Sequence, residues 1–263
     1  MKSDIAPFRM YGNLYFVGSS KVSVHIIKTE VGLVMIDTGY PTMNDQILES
    51  MALVGLDPKE VCAIFHSHGH IDHFGGTLRL KALSGAKTYI GRPDNDIVNG
   101  TLDLSWAKEL GLPREEPFNC DVLVDDGDCY TFGSTTIRCL AAPGHTAGVL
   151  AFFVNIEENG HTIVAAMHGG VGLNTLSAPW LRENGLSLDC REIFHEGLHR
   201  LAKEHVDLVM GNHPGQNNTT AKLRKVLAGE SIINPEAWPA FLESYETRLD
   251  NKIKEEREQG IID

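Results

Sequence analysis

Residues 66–76 of this 263-residue chain read His-Ser-His-Gly-His-Ile-Asp-His-Phe-Gly-Gly, and they say more about the fold than any other stretch. The segment contains four potential metal ligands within six positions, namely His68, His70, Asp72 and His73. The apolar residues 61–65 before it are typical of a buried strand, and residues 77–83 after it have helical spacing. Because active sites of α/β proteins collect on loops that leave buried strands, the segment predicts a metal site.

The spacing of these side chains predicts two metal ions. His68 and His70 are two positions apart on an extended segment, so they point to the same side and can chelate one ion. Asp72 and His73 follow where the chain begins to turn, and they can face a second ion. Imidazole and carboxylate suit Zn²⁺, although Mn²⁺, Fe²⁺ or Co²⁺ fit a similar set. His66 offers another register, which leaves Asp72, His73 and the glycines unexplained, so we interpret it as a neighbour of the site.

Composition and charge restrict the class of protein. With 42% hydrophobic residues the chain can bury a full core, and its length favours one α/β domain over residues 1–263. The net charge is −12 without a basic stripe, so neither nucleic acid nor an anionic membrane is an expected partner. The five cysteines form no CxxC pair and are interpreted as reduced thiols. Residues 1–7 contain no apolar signal region, so we expect a cytoplasmic protein of open oligomeric state.

The order of the predicted elements indicates two sheets packed face to face, with helices on the outer faces. Strands are predicted at 14–17, 22–28, 33–37, 61–65, 88–90, 122–124, 130–132, 135–140, 149–154, 162–165 and 208–210. Helices are predicted at 41–54, 77–84, 189–204, 218–228 and 236–258, the last interrupted early by Pro239. Residues 93–119 are the least regular segment and a candidate lid. The metal ligands would come from loops at one edge of the sandwich.

A site for two metals needs further ligands from distant loops, and glycine-rich turns supply the candidates. His145 lies in a Pro/Gly turn between two predicted strands, where it can complete a three-histidine set for the first metal. His213 lies in a similar turn after a strand, and it is our choice to join Asp72 and His73 on the second metal. His168 also stands at a strand end before glycines, so it competes for a place in the pocket.

Two further groups of residues are assigned from their positions. Asp37 closes a predicted strand, where its carboxylate either hydrogen-bonds a ligating histidine and fixes the ring tautomer or caps the turn that follows. The remaining histidines of the strands, turns and helices are expected to be structural or solvated, and they are His25, His161, His195, His199 and His205.

These motifs resemble the metallo-β-lactamase superfamily, whose signature is His-x-His-x-Asp-His with Gly-Gly, then a Gly-His loop and a final histidine. Residues 144–148, Gly-His-Thr-Ala-Gly, are similar to the family's Gly-His-Thr-Pro-Gly loop, and residues 36–39 are similar to its strand-end aspartate motif. Residues 6–8 and 12–18, and the His-Pro-Gly of residues 213–215, resemble the third metallo-β-lactamase subclass. The resemblance covers nearly the whole chain.

The resemblance implies a four-layer αβ/βα sandwich that holds two zinc ions. The first zinc would be bound by His68, His70 and His145, and the second by Asp72, His73 and His213. Many hydrolases of the superfamily place a metal-bridging aspartate at the strand end occupied here by His168. The third subclass lacks this bridge and binds the substrate carboxylate with a serine-containing loop, whose nearest polar equivalents here are Asn174, Thr175 and Ser177.

The activity implied is the opening of a small cyclic amide, a β-lactam, by metal-bound hydroxide, with Asp72 ligating metal and orienting the water. Two Zn²⁺ less one carboxylate and one hydroxide leave about +2 in the pocket, which favours a small anionic substrate. The alternatives are a cytosolic lactonase or thioesterase (acyl-homoserine lactonase-like or glyoxalase II-like), an iron persulfide dioxygenase, and a non-catalytic member. The dioxygenase set is incomplete because His168 replaces its aspartate, and non-catalytic members usually lose ligands.

Overall fold

The computed structural model describes residues 5–263, so the prediction for the N-terminus lies outside it for residues 1–4. The strands of this range are β1 (Phe8–Tyr11), β2 (Leu14–Phe16), β3 (His25–Thr29), β4 (Gly32–Ile36), β5 (Val61–His66), β6 (Lys87–Gly91), β7 (Val122–Val124), β8 (Cys129–Phe132), β9 (Thr135–Ala141), β10 (Leu150–Glu158), β11 (His161–His168) and β12 (Leu208–Gly211). The α-helices are α1 (Asn44–Leu53), α2 (Ile71–Phe74), α3 (Thr77–Ser84), α4 (Asn95–Val98), α5 (Ala178–Glu183), α6 (Cys190–Leu201), α7 (Thr219–Leu227) and α8 (Ala237–Glu258).

The strands form two sheets. The first sheet has seven strands in chain order from β1 to β7, antiparallel up to β4 and parallel from β4 onward. The second sheet has five strands in the order β12-β11-β10-β9-β8, and only the β11–β12 pair is parallel. The helical segments between β4, β5 and β6 supply the crossovers that parallel strands require.

Apolar side chains fill three layers of core. Between the sheets, Phe16 and Phe65 of the first sheet pack with Phe152 of the second in one buried cluster. On the outer face of the first sheet, Ile64 packs with residues of α1 and α3. On the outer face of the second sheet, Phe153 packs with residues of α6 and α8. Since neighbouring residues of a strand point to opposite faces, this alternation gives the predicted four-layer sandwich.

The loops predicted to carry the site lie at one edge of the sandwich. The two sheets are joined there, because the Leu150 amide of β10 donates to the Ser67 carbonyl beyond β5. The Asp37 amide, beyond β4, donates to the Phe65 carbonyl, and His168 at the end of β11 lies opposite Gly211 at the end of β12. Four strands therefore deliver their loops to the same edge.

Several element boundaries differ from the sequence predictions. Short elements were missed, namely β1, α2, α4 and α5. The predicted strand over 22–28 begins only at His25, and helix α6 ends at Leu201 rather than at 204. Pro239 does not interrupt α8, because it lies in the first turn of that helix, where a missing amide hydrogen costs nothing. The prediction of a single domain over 1–263 stays a prediction.

Beyond α4, residues 99–121 form bends and turns, in agreement with the expected irregular segment. Among residues 5–263, no helix combines the length and the apolar character that crossing a bilayer requires.

Candidate metal centre

The loop after β5 places its side chains as the spacing predicted. His68 lies in a bend after β5 and His70 is extended at the N-cap of α2, while Asp72 and His73 lie in the single turn of that helix. The glycines of the motif allow this helix to pack closely on the loop after β4. A Cβ atom on Gly75 would lie 2.3 Å from a side-chain atom of Pro41, so a larger residue does not fit there.

Three histidines form the first group, which we define as His68, His70 and His145. One ligand nitrogen of each can be chosen so that all lie within 4.8 Å of one another. The rings are enclosed by protein, with relative exposures of 1%, 3% and 7% respectively. The structure thus brings together the three residues that the sequence assigned to one ion.

Two histidines and a carboxylate form the second group, which we define as Asp72, His73 and His213. Their ligand atoms also lie within 4.8 Å of one another. Oδ2 of Asp72 is 3.3 Å from Nε2 of His73 and 3.6 Å from Nε2 of His213. The ring of His73 is 4.3 Å from that of His68 between centroids, so the two groups are neighbours.

Hydrogen bonds to the outer ring nitrogens fix the histidine tautomers. Nδ1 donates to a backbone carbonyl in His68 (Gly169 O), His145 (Gly172 O) and His213 (Lys21 O), each at 2.7 Å. A neutral imidazole that donates from Nδ1 has its lone pair on Nε2. These three rings are therefore held with the Nε2 lone pair directed away from the backbone carbonyls, in the form that binds a cation.

The structure shows which of its two possible roles Asp37 has, the hydrogen bond to a histidine or the capping of the turn. Its Oδ2 accepts a hydrogen bond from Nδ1 of His73 at 2.7 Å. The same carboxylate accepts hydrogen bonds from the backbone amide and the hydroxyl of Ser67, at 2.7 and 2.8 Å. Asp37 itself has a left-handed backbone with φ of 61°. It therefore orients a histidine of the second group and ties it to the loop that begins the first.

The charge states in this edge suit cation binding. Burial lowers the pKa of the first-group histidines, to about 4 for His145, so these rings are neutral at neutral pH. Burial opposes ionisation of Asp72, but His73 and His213 hold its pKa below the usual range. Burial also lowers the pKa of His73, yet Asp72 and Asp37 raise it to about 10. His73 is therefore protonated between the carboxylates of Asp37 and Asp72. A bound cation would take the place of one of its protons.

Buried ring nitrogens support the same interpretation. Nε2 of His73 is buried without a hydrogen-bond partner, and it lies 3.3 Å from Oδ2 of Asp72 in the second group. Nδ1 of His70 lies 3.0 Å from Nε2 of His68, so two ring nitrogens converge on one point. Leaving a buried polar atom unpaired costs about 1–3 kcal/mol, which a bound cation would recover. The donor set of five imidazoles and one carboxylate fits divalent transition metals.

A cavity of about 190 Å³ opens over both groups. Besides the six residues, it is lined by Tyr40, Trp106, Leu110, Gly172, Asn174 and Asn212. Burial and the charge of Asp72 raise the pKa of Tyr40 to about 12, so its hydroxyl keeps its proton. Trp106 has a left-handed backbone with φ of 64°, rare for a bulky residue, and its ring lies 5.7 Å from that of His70.

The other candidates from the sequence lie around the cavity. Asn174 lines it, whereas Thr175 is buried behind it with its hydroxyl 2.9 Å from Nδ1 of His145. His168 belongs to neither group and does not line the cavity, since its ring packs against Phe194. His66 is also buried outside both groups, with its Nε2 3.4 Å from the Thr77 hydroxyl.

Sequence reasoning missed Asp94, which joins two of the loops. Its carboxylate is buried and accepts hydrogen bonds from the Gly69 amide, the Thr146 hydroxyl and the Gly148 amide at 2.5–2.7 Å. Burial raises its pKa to about 6. A Cβ atom on Gly148 would lie 2.6 Å from Cγ of Asp94, so this contact requires glycine. Asp94 thereby fixes the loop of His68 and His70 relative to the loop of His145.

Comparison with known proteins agrees with this geometry. The profile described as "Metallo-beta-lactamase superfamily" matches residues 17–158, which is more than half of the chain. The chain belongs to the metallo-beta-lactamase superfamily. Together with the two groups, this superfamily fold implies a dinuclear metal site.

Solved members of the superfamily share the whole fold. BJP-1, a subclass B3 metallo-beta-lactamase of Bradyrhizobium japonicum, superposes with a TM-score of 0.89 at 22% identity, covering 98% of this chain and 97% of that one. The Rm3 metallo-beta-lactamase superposes with a TM-score of 0.86 at 26% identity, covering 97% and 96%. The predicted αβ/βα sandwich and the resemblance to the third subclass are confirmed at the level of fold.

Curated relatives match over a shorter stretch. A hydroxyacylglutathione hydrolase of Pseudomonas putida is 37% identical over 109 residues, which are 39% of this chain and 34% of that protein. The chain spans between about a third and about half of the length of the first curated relatives that it matches.

Proposed function

We propose that this superfamily member is a dinuclear zinc hydrolase that opens small cyclic amides of the β-lactam type. One observation carries the proposal, namely the convergence of five imidazoles and one carboxylate on a small open cavity. Its relatives and structural neighbours with printed activities include metallo-beta-lactamases and a hydroxyacylglutathione hydrolase, so hydrolysis is the common chemistry. Five imidazoles favour zinc over the oxygen-preferring cations.

Among residues 5–263, the cavity has a single carboxylate, and this favours a cyclic amide over a thioester or lactone as the substrate. Asp72 is the only acidic residue among the described residues that line it. At the end of β11, where thioesterases and lactonases of the superfamily are expected to have a bridging aspartate, the chain has His168, which does not line the cavity. The single-iron persulfide dioxygenase is disfavoured for another reason, because the ligand residues form two groups and not one.

Two bound cations would lower the pKa of a water to near 7 and polarise the carbonyl of the substrate. The chain's own residues then have separate tasks. Asp72, ionised at neutral pH, accepts a hydrogen bond and orients the water for attack. The Tyr40 hydroxyl, which keeps its proton, donates to the oxygen or nitrogen on which negative charge develops.

The remaining residues of the cavity select the substrate. Trp106 and Leu110 form an apolar wall beside His70, while the amide of Asn174 can donate to a carboxylate on the substrate. We propose a small anionic substrate, because the cavity would carry positive charge within a chain of net charge −12. Nucleic acid and anionic membranes are repelled by the same net charge.

A thioesterase is the second candidate, favoured by the hydroxyacylglutathione hydrolase relative. Its test is shared with the main proposal. We expect zinc-loaded protein to hydrolyse a chromogenic cephalosporin faster, by kcat/KM, than members of lactone and thioester panels. Asp72→Asn should abolish the turnover, while Asp96→Asn, an exposed acid outside the cavity, should retain it. Faster turnover of thioesters would show that the proposed substrate class is wrong. Unchanged turnover by Asp72→Asn would contradict the proposed mechanism.

We also propose that the protein works in a reducing compartment such as the cytoplasm. All five cysteines are free, and two of them, Cys120 and Cys139, are buried in the cores. Buried unpaired thiols are compatible with reducing conditions. Fractionation of cells that express the untagged protein tests this, and recovery outside the cytoplasm would contradict it.

A further inference from the structure

Helix α6 carries a second histidine motif, far along the chain from the centre described above. Its sequence is His195-Glu196-Gly197-Leu198-His199. Histidines four residues apart lie on one face of a helix, about one turn from each other, and His-Glu-x-x-His is a known pattern for binding zinc through both histidines. The sequence predicted these two histidines to be structural or solvated.

A carboxylate from α8 lies between the two rings. Oε1 of Glu246 is 2.6 Å from Nε2 of His199 and 4.0 Å from Nδ1 of His195. One turn later on α8, Oδ1 of Asp250 is 3.5 Å from Nε2 of His195. Two helices thus bring two imidazoles and two carboxylates to neighbouring positions, with Glu246 on the Nδ1 side of His195 and Asp250 on its Nε2 side. Imidazole and carboxylate are ligand types that zinc accepts.

Glu246 and Asp250 are available to interact with a cation. In the described range, the ion pairs of Glu246 and Asp250 are with the two histidines and with no lysine or arginine. Nε2 of His195 is buried without a hydrogen-bond partner. The nearby Arg200 is occupied by Asp126. A divalent cation between the rings would therefore not compete with a lysine or arginine for these carboxylates.

The two helices are held in place independently of these polar residues. Phe194 and Leu198 of α6 pack in the same buried cluster as Phe241, Leu242 and Leu249 of α8. The ring centroids of His195 and His199 are 6.5 Å apart, and Nδ1 of His195 is 4.0 Å from Oε1 of Glu246, so His195 must move closer for both rings to share an ion. The side chain of His199 already contacts Glu246 and is 61% exposed, so it can adjust its position.

We propose that His195, His199 and Glu246 form a separate site for Zn²⁺, with Asp250 beside Nε2 of His195 on the other side of that ring. The ion would connect α6 to α8 on the outer face of the second sheet. Glu196, inside the motif but exposed and one residue away from the face of the two histidines, is not a ligand. The site concerns ion binding and is independent of the proposed hydrolysis.

The test is the zinc content of the intact protein equilibrated with buffered free zinc in the micromolar range. Wild type should hold about one zinc per chain more than His199→Ala and Glu246→Gln. Glu196→Gln should hold as much as wild type, as should His205→Ala, which removes another exposed histidine beside an acid. Circular dichroism of the metal-free variants checks that each is folded, with His199→Gln as a milder second variant.

Turnover at the main centre should be the same in His199→Ala and wild type, because α6 contributes no residue to the cavity. Equal zinc content in wild type, His199→Ala and Glu246→Gln would overturn the proposal. An equal loss in Glu196→Gln would also overturn it, since the ion would then be attracted by charge alone.

Discussion

The two groups of the metal centre are neighbours, yet they are built differently. The first group consists of imidazoles with at most 7% exposure. The second contains a carboxylate and His213, whose side chain is 34% exposed. A different buried acid supports each of them, since Asp94 joins the loops of the first group and Asp37 holds His73 of the second.

This difference indicates how each half would hold its ion. The first group is fixed by backbone carbonyls and by Asp94, so its rings are oriented before any ion arrives. The second group depends on His213, which also donates to a backbone carbonyl, that of Lys21, but lies on a loop near solvent with a more exposed side chain. We therefore expect the first ion to bind more tightly than the second.

The largest expected effect separates the two halves by removing one histidine from each. His145→Ala should lower hydrolysis at least about 100-fold, because loss of a residue that merely orients a ligand already costs about 10–100-fold. His213→Ala should leave about one ion at the two-metal centre, bound at the first group, with some residual turnover. Metal content and kcat/KM of both variants check this.

His168→Ala is the matched control, since His168 is a buried histidine at the same edge outside both groups. It should retain both ions of the centre. Equal metal loss in His145→Ala and His213→Ala would remove the asymmetry, and loss of an ion in His168→Ala alone would exchange the assignments of His168 and His213.

A smaller effect on metal affinity is expected when each of the two supporting acids is replaced. Asp37→Asn should weaken binding of the second ion about 10–100-fold, and Asp94→Asn should weaken the first by a similar factor. In Asp94→Asn, one side-chain position becomes an amide that faces the Gly148 or Gly69 amide, so a hydrogen bond between loops is lost. Titration with Co²⁺, followed by visible absorption, distinguishes the two ligand sets.

Asp207→Asn provides the control for these two variants. Asp207 accepts a hydrogen bond from the Val164 amide at 2.9 Å, so it also holds backbone, but it is outside the cavity. Its replacement should leave both affinities unchanged. If Asp37→Asn and Asp94→Asn weaken the same ion, the division of labour between the two acids is wrong.

The smallest effect on the metal centre is expected at His25, a buried histidine that belongs to neither half and whose protonation affects stability. Burial lowers its pKa from 6.5 to about 4, with Asp37 opposing and Lys222 reinforcing the shift. The unfolded chain then binds a proton that the folded chain does not, so stability falls as the pH decreases from 6.5 to about 4. At about 1.4 kcal/mol per pKa unit, His25 accounts for up to about 3 kcal/mol.

Denaturant unfolding of metal-free wild type and His25→Leu at several pH values measures this contribution. The free energy of unfolding should fall less steeply toward pH 4 in the variant, because the residue that takes up the proton is gone. Parallel pH profiles for the two proteins would show that His25 does not resist protonation in the folded state.

The sequence was sufficient to predict the six residues that converge, for a local reason. Histidines and aspartates that stand beside glycine or proline at the ends of predicted strands can be recognised from the local sequence, as in His68 and His145. Asp94, Tyr40 and Trp106 could not be assigned, because their roles arise from contacts between segments distant in the chain. Helices α2 and α5 were missed for a different reason, because their few residues carry too little periodicity to predict a helix.

Anomalous scattering at the zinc absorption edge, from crystals of zinc-loaded protein, tests the central claim most directly. We predict two peaks in the cavity, one surrounded by His68, His70 and His145 and the other by Asp72, His73 and His213. A single peak, or none in the cavity at saturating zinc, would contradict the assignment of these residues to a two-metal centre.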